Sequence, residues 1–291
     1  MFSNINNIVV LKNEPLSKHC SFKVGGNARY FIMVHNIDAL LDVLSICRQH
    51  SLKFKIIGGG SNILFDDKGY NGAIIKYVDD TIFLKNGILY ASSGCSMPQL
   101  IQYTTQNNLG GFEFSVGVPA LLGGAIVNNL GAYGDQLSTY LEHITVLQNN
   151  RIVYLHKDDC NFNYHTSNFQ HSKDIILSVT FNLPYQDNDI TKTKLKDYLL
   201  RRTKSQPLEY PNAGSIFRRT NNVIPAQLID NAGLKGFTIG DAQISTKHAG
   251  FIINLGNATS KNILDLINYT HQTIFDKYSV HLSPEIEYIP Y

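Results

Sequence analysis

The chain has 291 residues, 43% of them hydrophobic, and a formal net charge of +2. That length exceeds one typical domain, so two or three are expected, each able to bury a real core. The basic residues are scattered, which argues against a nucleic-acid footprint, and no run of 18 apolar residues offers a membrane span.

The first residues, MFSNINNIVVLKNEPLS, lack a basic region and a cleavage site, so no signal peptide is expected. Ser17–Phe31 begins polar and turns at Gly25–Gly26. A helix is predicted from Asn36 to His50, with Asn36 as N-cap and Leu40, Leu41, Leu44 and Cys47 on one face. Phe54–Ile57 reads as a short buried strand, Ile63–Phe65 as another, Asp66–Asn71 as a polar turn and Ala73–Tyr77 as a returning strand. Thr81–Ser93 is hairpin-like and turns at Asn86–Gly87. Ser96 caps a helix that carries Pro98 in its first turn and runs to about Asn107. His143–Leu147 and Arg151–His156 form a second hairpin around Asn149–Asn150, and Ile175–Leu183 is the last strand of this half. Pro184–Thr193 is a polar seam and Lys194–Arg202 a linking helix.

Beyond about Ser205 the pattern is that of a smaller α/β domain. It has a short helix at Pro225–Asn231 closed by Gly233, a strand at Phe251–Asn254 and a terminal strand at Ile286–Ile289. Its clearest element is an amphipathic helix at Ser260–Tyr278, with Ile263, Leu264, Ile267, Ile274, Phe275 and Tyr278 in one stripe. The four cysteines, Cys20, Cys47, Cys95 and Cys160, are widely spaced without a CxxC pair, so reduced, buried thiols of a cytoplasmic protein are expected. No metal-ligand spacing stands out.

Two glycine clusters carry the functional signal. The stretch LGGFEFSVGVPALLGGAIVNNLGAYG, 109–134, holds seven of the 22 glycines and a single charge, Glu113. Glycine lets a backbone come close to a flat neighbour, so this apolar stretch reads either as a wall for a flat ligand or as a tightly packed bend. Earlier, IIGGGSNIL at 56–64 leads a β-branched run into three glycines, Ser61 and Asn62. Successive amides of such a turn can form an anion nest. It is neither a Walker loop nor a GxGxxG fingerprint. A phosphate cradle and an apolar wall together suggest a flavin dinucleotide.

The motifs GGGSN (58–62), GVPALLGGAIVNNLGAYG (117–134), YPNAGSIFRR (210–219), GLKG (233–236), STKHAGFIIN (245–254) and LSPEIEYI (282–289) occur in this order. The set resembles the UDP-N-acetylenolpyruvoylglucosamine reductase family of bacterial cell-wall precursor synthesis, over nearly the whole chain from about Ser21 to Tyr288. The resemblance implies an α+β fold: a two-subdomain FAD-binding cradle of the vanillyl-alcohol-oxidase (PCMH-like) kind over 1–77 and 78–193, and a C-terminal α/β substrate domain over 194–291. It implies FAD as cofactor, NADPH as co-substrate, a nucleotide-sugar substrate and no obligate protein partner. The short run between the seam and Ser215 resembles the family's shorter branch, which lacks a mobile tyrosine-bearing loop.

Residue by residue, the resemblance implies that Gly58, Gly59, Gly60, Ser61, Asn62, Gly117, Pro119, Gly123, Gly124 and Gly131 hold the cofactor. Ser215 matches the proton-donating serine, although by itself it reads as a turn serine after Ala213–Gly214. Serine is a weak acid and serves only where a neighbouring charge steadies its alkoxide. Glu285 matches the acidic residue near the substrate carboxylate, and Glu287 would share its strand face. The family pattern Tyr-Arg-x-Ser-x-Phe is departed from at 164–169, YHTSNF, where His165 stands in the arginine's place. Histidine is cationic only while protonated, with a reference pKa of about 6.5, and lacks the two-pronged donor geometry of arginine. A second departure puts Ala120 and Leu121 after Pro119, where a glycine and a small hydroxyl residue are usual. Arg218, Arg219, Lys247 and His248 are candidates to clamp the substrate diphosphate, or form a solvated face. Two rival readings remain: another flavin oxidoreductase of the same cradle, and a non-catalytic flavin or nucleotide-sugar binding protein.

Overall fold

The computed structural model describes residues 1–220 and 222–291. Strand β1 (Ile8–Pro15) and β2 (Asn27–Val34) flank a single 3-10 turn. Neither shows strict alternation, and β2 buries Ala28, Phe31, Ile32 and Val34. Helix α1 (Ile37–Gln49) starts as expected, where the Ala39 amide donates to the Asn36 side chain at 2.9 Å. Leu40, Val43, Leu44 and Cys47 are buried on its inner face. Strands β3 (Phe54–Ile57), β4 (Ile63–Phe65) and β5 (Tyr70–Tyr77) follow.

β6 (Ile82–Lys85) and β7 (Ile88–Ser92) turn at Asn86 and Gly87, whose φ of 51° and 79° are the left-handed pair that a two-residue hairpin requires. Helix α2 (Met97–Gln106) carries a reciprocal cap between Ser96 and Gln99. After α3 (Leu122–Val127), β8 (Gly131–Ala132) and β9 (Asp135–Gln136), β10 (Leu141–Gln148) and β11 (Arg151–His156) turn at Asn149 and Asn150, again both left-handed. β12 (Ile175–Asn182) closes this run. Helix α4 (Asn188–Ser205) begins at Asn188 rather than Lys194. The Asp189 amide donates to the Asp187 carboxylate at 2.8 Å and the Thr191 amide to the Asp187 carbonyl at 3.0 Å, so half of the polar seam winds into helix.

β13 (Asn212–Ser215), α5 (Pro225–Asn231), β14 (Thr238–Ile239), β15 (Ala242–Ile244), β16 (Phe251–Asn254), α6 (Ser260–Tyr278) and β17 (Glu287–Ile289) complete the chain. α6 is capped reciprocally by Thr259 and Asn262. Its inner face differs slightly from the expected stripe: Leu266 is fully buried, whereas Phe275 is 37% exposed.

These elements form two compact units, each drawn from three stretches of chain: 1–11, 31–59 and 73–201 in the first, 12–30, 60–72 and 202–291 in the second. The first contains an antiparallel sheet in the order β11-β10-β12-β7-β6 and a parallel β3–β5 pair running from Phe54↔Ala73 to Ile57↔Lys76. Its core gathers Leu89, Leu100, Phe112, Phe114, Ile144, Val179 and Phe181. The second contains a sheet in the order β13-β16-β15-β14, with α6 packed on β14 and β15. It also holds a parallel pair between β4 and β17, Ile63↔Glu287 to Phe65↔Ile289. All four cysteines are free and buried, as expected. Among the described residues, no helix is long and apolar enough to cross a membrane.

Candidate active site

In the first unit Gly58 and Gly59 meet the second glycine cluster. A Cβ placed on Gly59 would lie 2.8 Å from the Pro119 carbonyl and 3.1 Å from the Leu121 amide. One on Gly58 would lie 3.3 Å from the Gly124 backbone. Only bare backbone allows so close an approach. The second bend is pinned from behind: the Met97 amide donates to the Ala120 carbonyl (3.0 Å), Leu122 to Cys95 (2.8 Å) and Gly123 to Ser93 (2.8 Å). The long apolar side chains between the glycines do not form a wall. Phe112, Phe114, Leu122 and Ile126 are core residues, with the Phe112 ring edge-on to Phe181 at 5.0 Å. What this stretch presents is therefore main chain.

Glu113, the single charge there, is a residue whose role the sequence does not reveal. It is 5% exposed, accepts the Gly111 amide at 2.7 Å and the Gln186 side-chain amide, and has the Lys194 ammonium 3.8 Å away. Its partners come from the polar stretch after Pro184, which nothing local connects to a glycine bend.

The Gly58–Asn62 turn supplies donors. Among the described residues, none accepts a hydrogen bond from the amides of Gly58, Gly59, Gly60, Ser61 or Asn62. Gly60 is buried and has a φ of 70°. Buried amides are almost always paired, and successive free ones are the donor set of an anion nest. That chemistry fits the pyrophosphate of a dinucleotide cofactor.

The YHTSNF loop is stitched to the end of the glycine-rich stretch. Asn129, fully buried, donates through Nδ2 to the Asn163 carbonyl (2.8 Å) and to Gln136 (3.2 Å). The Ser167 hydroxyl donates to the Val127 carbonyl at 2.6 Å, and the Gln170 amide to Asn128 at 2.9 Å and to the His165 carbonyl at 3.0 Å. Asn163 and Thr166 exchange backbone hydrogen bonds, leaving Tyr164 and His165 at the tip, with His165 at a φ of 52°. The His165 ring stacks on Tyr164 at 4.3 Å and places Nε2 3.2 Å from the Gly131 carbonyl. The structure thus joins His165 to Gly131, two positions 34 residues apart.

In the second unit Ser215 and Glu285 are neighbours. Ser215 ends β13 with its side chain exposed, opposite Phe251 of β16. On the other side the Glu285 amide donates to the Ile216 carbonyl at 2.7 Å, and the Arg218 amide to the Ser283 carbonyl at 2.9 Å. Asn62 locks this segment further: its side chain donates to the Glu285 carbonyl (3.1 Å), and its carbonyl accepts the Glu287 amide (3.0 Å). Glu285 and Glu287 do not share a strand face, because Ile286 is a bend and β17 starts at Glu287. Glu285 is half-buried and Glu287 exposed, so the bend separates them.

Of the basic candidates, Arg218 is half-buried and Arg219 exposed. The Lys247 ammonium sits 3.4 Å from Glu209, and its backbone and that of His248 both donate to the buried Ser245 hydroxyl oxygen (3.1 and 3.3 Å). The His248 ring turns inward, accepting the Gly250 amide at Nδ1 (3.1 Å), so it belongs to the turn.

Comparison with known proteins agrees with this layout. Residues 28–150 match the model of an FAD binding domain, and residues 206–289 match that of the UDP-N-acetylenolpyruvoylglucosamine reductase C-terminal domain. A UDP-N-acetylenolpyruvoylglucosamine reductase of Caldicellulosiruptor saccharolyticus is 39% identical over 97% of this chain and 93% of its own. One from Clostridium botulinum (strain Hall) is 39% identical over 98% and 94%. The crystal structure of the Thermus caldophilus enzyme of that name superposes with a TM-score of 0.82 at 26% identity, over 97% of this chain and 99% of that one. The paired bends, the Ile216–Glu285 hydrogen bond beside Ser215 and near-complete alignment to named relatives lead to one conclusion: the chain belongs to the UDP-N-acetylenolpyruvoylglucosamine reductase family.

Proposed function

We propose that the protein reduces the enolpyruvyl ether of UDP-N-acetylglucosamine to UDP-N-acetylmuramate, with FAD as cofactor and NADPH as the source of the hydride. The observation that supports this reading is the 2.7 Å hydrogen bond from the Glu285 amide to the Ile216 carbonyl, which brings the Glu285 segment against the peptide that follows Ser215. FAD, when bound, supplies the chemistry of accepting a hydride from NADPH and delivering it to the methylene carbon of the vinyl ether. Addition there leaves negative charge next to the substrate carboxylate and one carbon short of a proton.

Each assigned residue answers one of these needs. The amides of Gly58, Gly59, Gly60, Ser61 and Asn62 would hold the pyrophosphate, and the backbone of Gly117, Pro119, Gly123, Gly124 and Gly131 would border the ring system. Ser215 gives its hydroxyl proton to the carbon beside the carboxylate. Glu285 lies near that carboxylate and returns a proton to the serine. His165, as imidazolium, offsets the charge that develops on the enolate. Arg218, Arg219 and Lys247 take the diphosphate. Residues 1–77 and 78–193 serve the cofactor and 194–291 the substrate, in a cytoplasmic enzyme with no obligate protein partner.

The test is anaerobic. The yellow holoprotein is mixed with NADPH, the visible band is followed to bleaching, and the enolpyruvyl sugar is then added. Recovery of the band supports both half-reactions. Bleaching without recovery points to a different flavin oxidoreductase, and a chain that stays colourless in excess FAD removes the reading altogether. Ser215→Ala should bleach normally and recover slowly, by at least about a hundredfold, the usual contribution of a positioned acid.

A further inference from the structure

The strand that carries Ser215 is held on one side by the turn that feeds β16, and His248 sits at the centre of that turn. We infer that His248 is a positioning residue for Ser215: as a neutral imidazole it fixes the turn through Nδ1, and the turn fixes the peptide that follows Ser215.

The chain of contacts is continuous. The Gly250 amide donates to His248 Nδ1 at 3.1 Å. The Gly250 carbonyl accepts the Ile216 amide at 2.9 Å, and the Ile216 carbonyl accepts the Glu285 amide at 2.7 Å. The Ile216 amide is the N–H of the Ser215–Ile216 peptide, so the imidazole, the serine's own peptide and the Glu285 segment lie on one hydrogen-bonded line. The turn is closed by the Phe251 amide donating to the His248 carbonyl (3.0 Å) and the Ser245 amide to the Phe251 carbonyl (2.9 Å). The ring lies against Gly250: a Cβ there would sit 3.1 Å from its Cε1 and 3.2 Å from Ala226. Phe251 meets the ring edge-on at 4.8 Å.

An imidazole nitrogen that accepts an amide carries no proton, so the proton is on Nε2. Protonating Nδ1 sets a donor against the Gly250 donor and breaks the first link. Burial disfavours the charged ring and lowers its pKa from the ordinary histidine value; Lys235 adds to this, while its own backbone contact and Asp230 oppose it. Asp230 on α5 and Lys235 just beyond it are paired at 2.6 Å, and Lys247 on the histidine's own turn is engaged by Glu209. The link is therefore intact at neutral pH and lost as the solution becomes acid enough to charge the ring.

This inference rests on Ser215 being the proton donor, and the experiment separates the two. Holoenzyme is reduced with NADPH, and flavin reduction and its reoxidation by the enolpyruvyl sugar are timed separately between about pH 5 and 8. In the parent, reoxidation should slow on the acid side while reduction does not follow it. His248→Asn offers a side-chain oxygen to Gly250 but no titrating group; it should keep the neutral-pH rate, the parent melting temperature and FAD content, and lose the acid limb. His248→Ala should reoxidise about tenfold more slowly at neutral pH, the effect of one lost hydrogen bond, with reduction unchanged. A parent rate that is flat on the acid side, an acid limb that survives in His248→Asn, or parental reoxidation in His248→Ala each overturns the inference. If Ser215→Ala is slow while the His248 variants behave like the parent, the inference alone fails. If Ser215→Ala reoxidises at the parental rate, the reading of the site fails with it.

Discussion

His165 stands at the tip of a two-residue turn, with Nε2 aimed at the Gly131 carbonyl from 3.2 Å. That contact is available to the ring whether neutral or charged, since Nε2 can be the donor in both forms. The charge itself is not guaranteed: it is present below the imidazole's pKa and lost as pH rises through it. Substrate reduction should accordingly slow between about pH 6 and 8. His165→Arg should flatten that limb by keeping its charge, whereas His165→Ala should be slow throughout. Stopped-flow reoxidation across that range checks this, and a parent profile without a falling limb would remove His165 from the chemistry. With the His248 limb on the acid side, the two histidines give opposite slopes that single substitutions can remove one at a time.

At the scale of elements, the loop that presents His165 is tied down by several side chains, of which Asn129 is the fully buried one with three partners. Asn129 ties it to the preceding turn: Nδ2 donates to the Asn163 carbonyl and Oδ1 accepts the Ser138 amide at 3.1 Å, from a fully buried position at a φ of 39°. Asn129→Ala removes three hydrogen bonds to half-buried or exposed partners and should destabilise the protein by about 1–3 kcal/mol, at roughly 0.5–1.5 kcal/mol per bond discounted for partners that water can reach. Thermal or urea unfolding measures this; a loss within about 0.5 kcal/mol, the range of a bland surface change, would show that the Ser167 and Gln170 contacts suffice without Asn129. The sequence discloses elements whose cause is local. The Asn36 cap, the Asn86–Gly87 and Asn149–Asn150 turns and the ends of α6 are legible because the residues that make them lie within a few positions. β1 and β2 are not, because neither alternates strictly, β13 is not because its partner β16 lies some way along the chain, and α4 starts early through an Asp187 turn hidden in a polar stretch. The same limit applies to the site. GGGSN announces its donors, but that the apolar residues of 109–134 serve the core, or that Glu113 braces a glycine, depends on contacts no spacing encodes.

For the whole molecule, the number of free amides in the Gly58–Asn62 turn is a statement about stability as well as binding. A cofactor that satisfies them binds the folded chain and not the unfolded one, so it stabilises by mass action. FAD at a hundredfold excess over its dissociation constant should add about 2.7 kcal/mol. Melting curves with and without added FAD test this, and identical curves would contradict a site made of these donors. Riboflavin, which has the ring system but no pyrophosphate, should shift the curve far less.

The parallel pairing of β4 with β17 has a consequence for how the protein is made. Tyr288 in β17 donates its hydroxyl to Asp66, a partner 222 residues earlier. β4 leaves the ribosome long before its mate has been translated, so a growing polypeptide exposes an unzipped edge for most of its synthesis, the kind of surface that invites wrong pairing. Closure of the second unit is thereby a post-translational event of high contact order. A 206–289 fragment produced alone would lack β4 entirely, and a nascent chain stalled before Glu287 should be a client of holding chaperones rather than a half-finished enzyme.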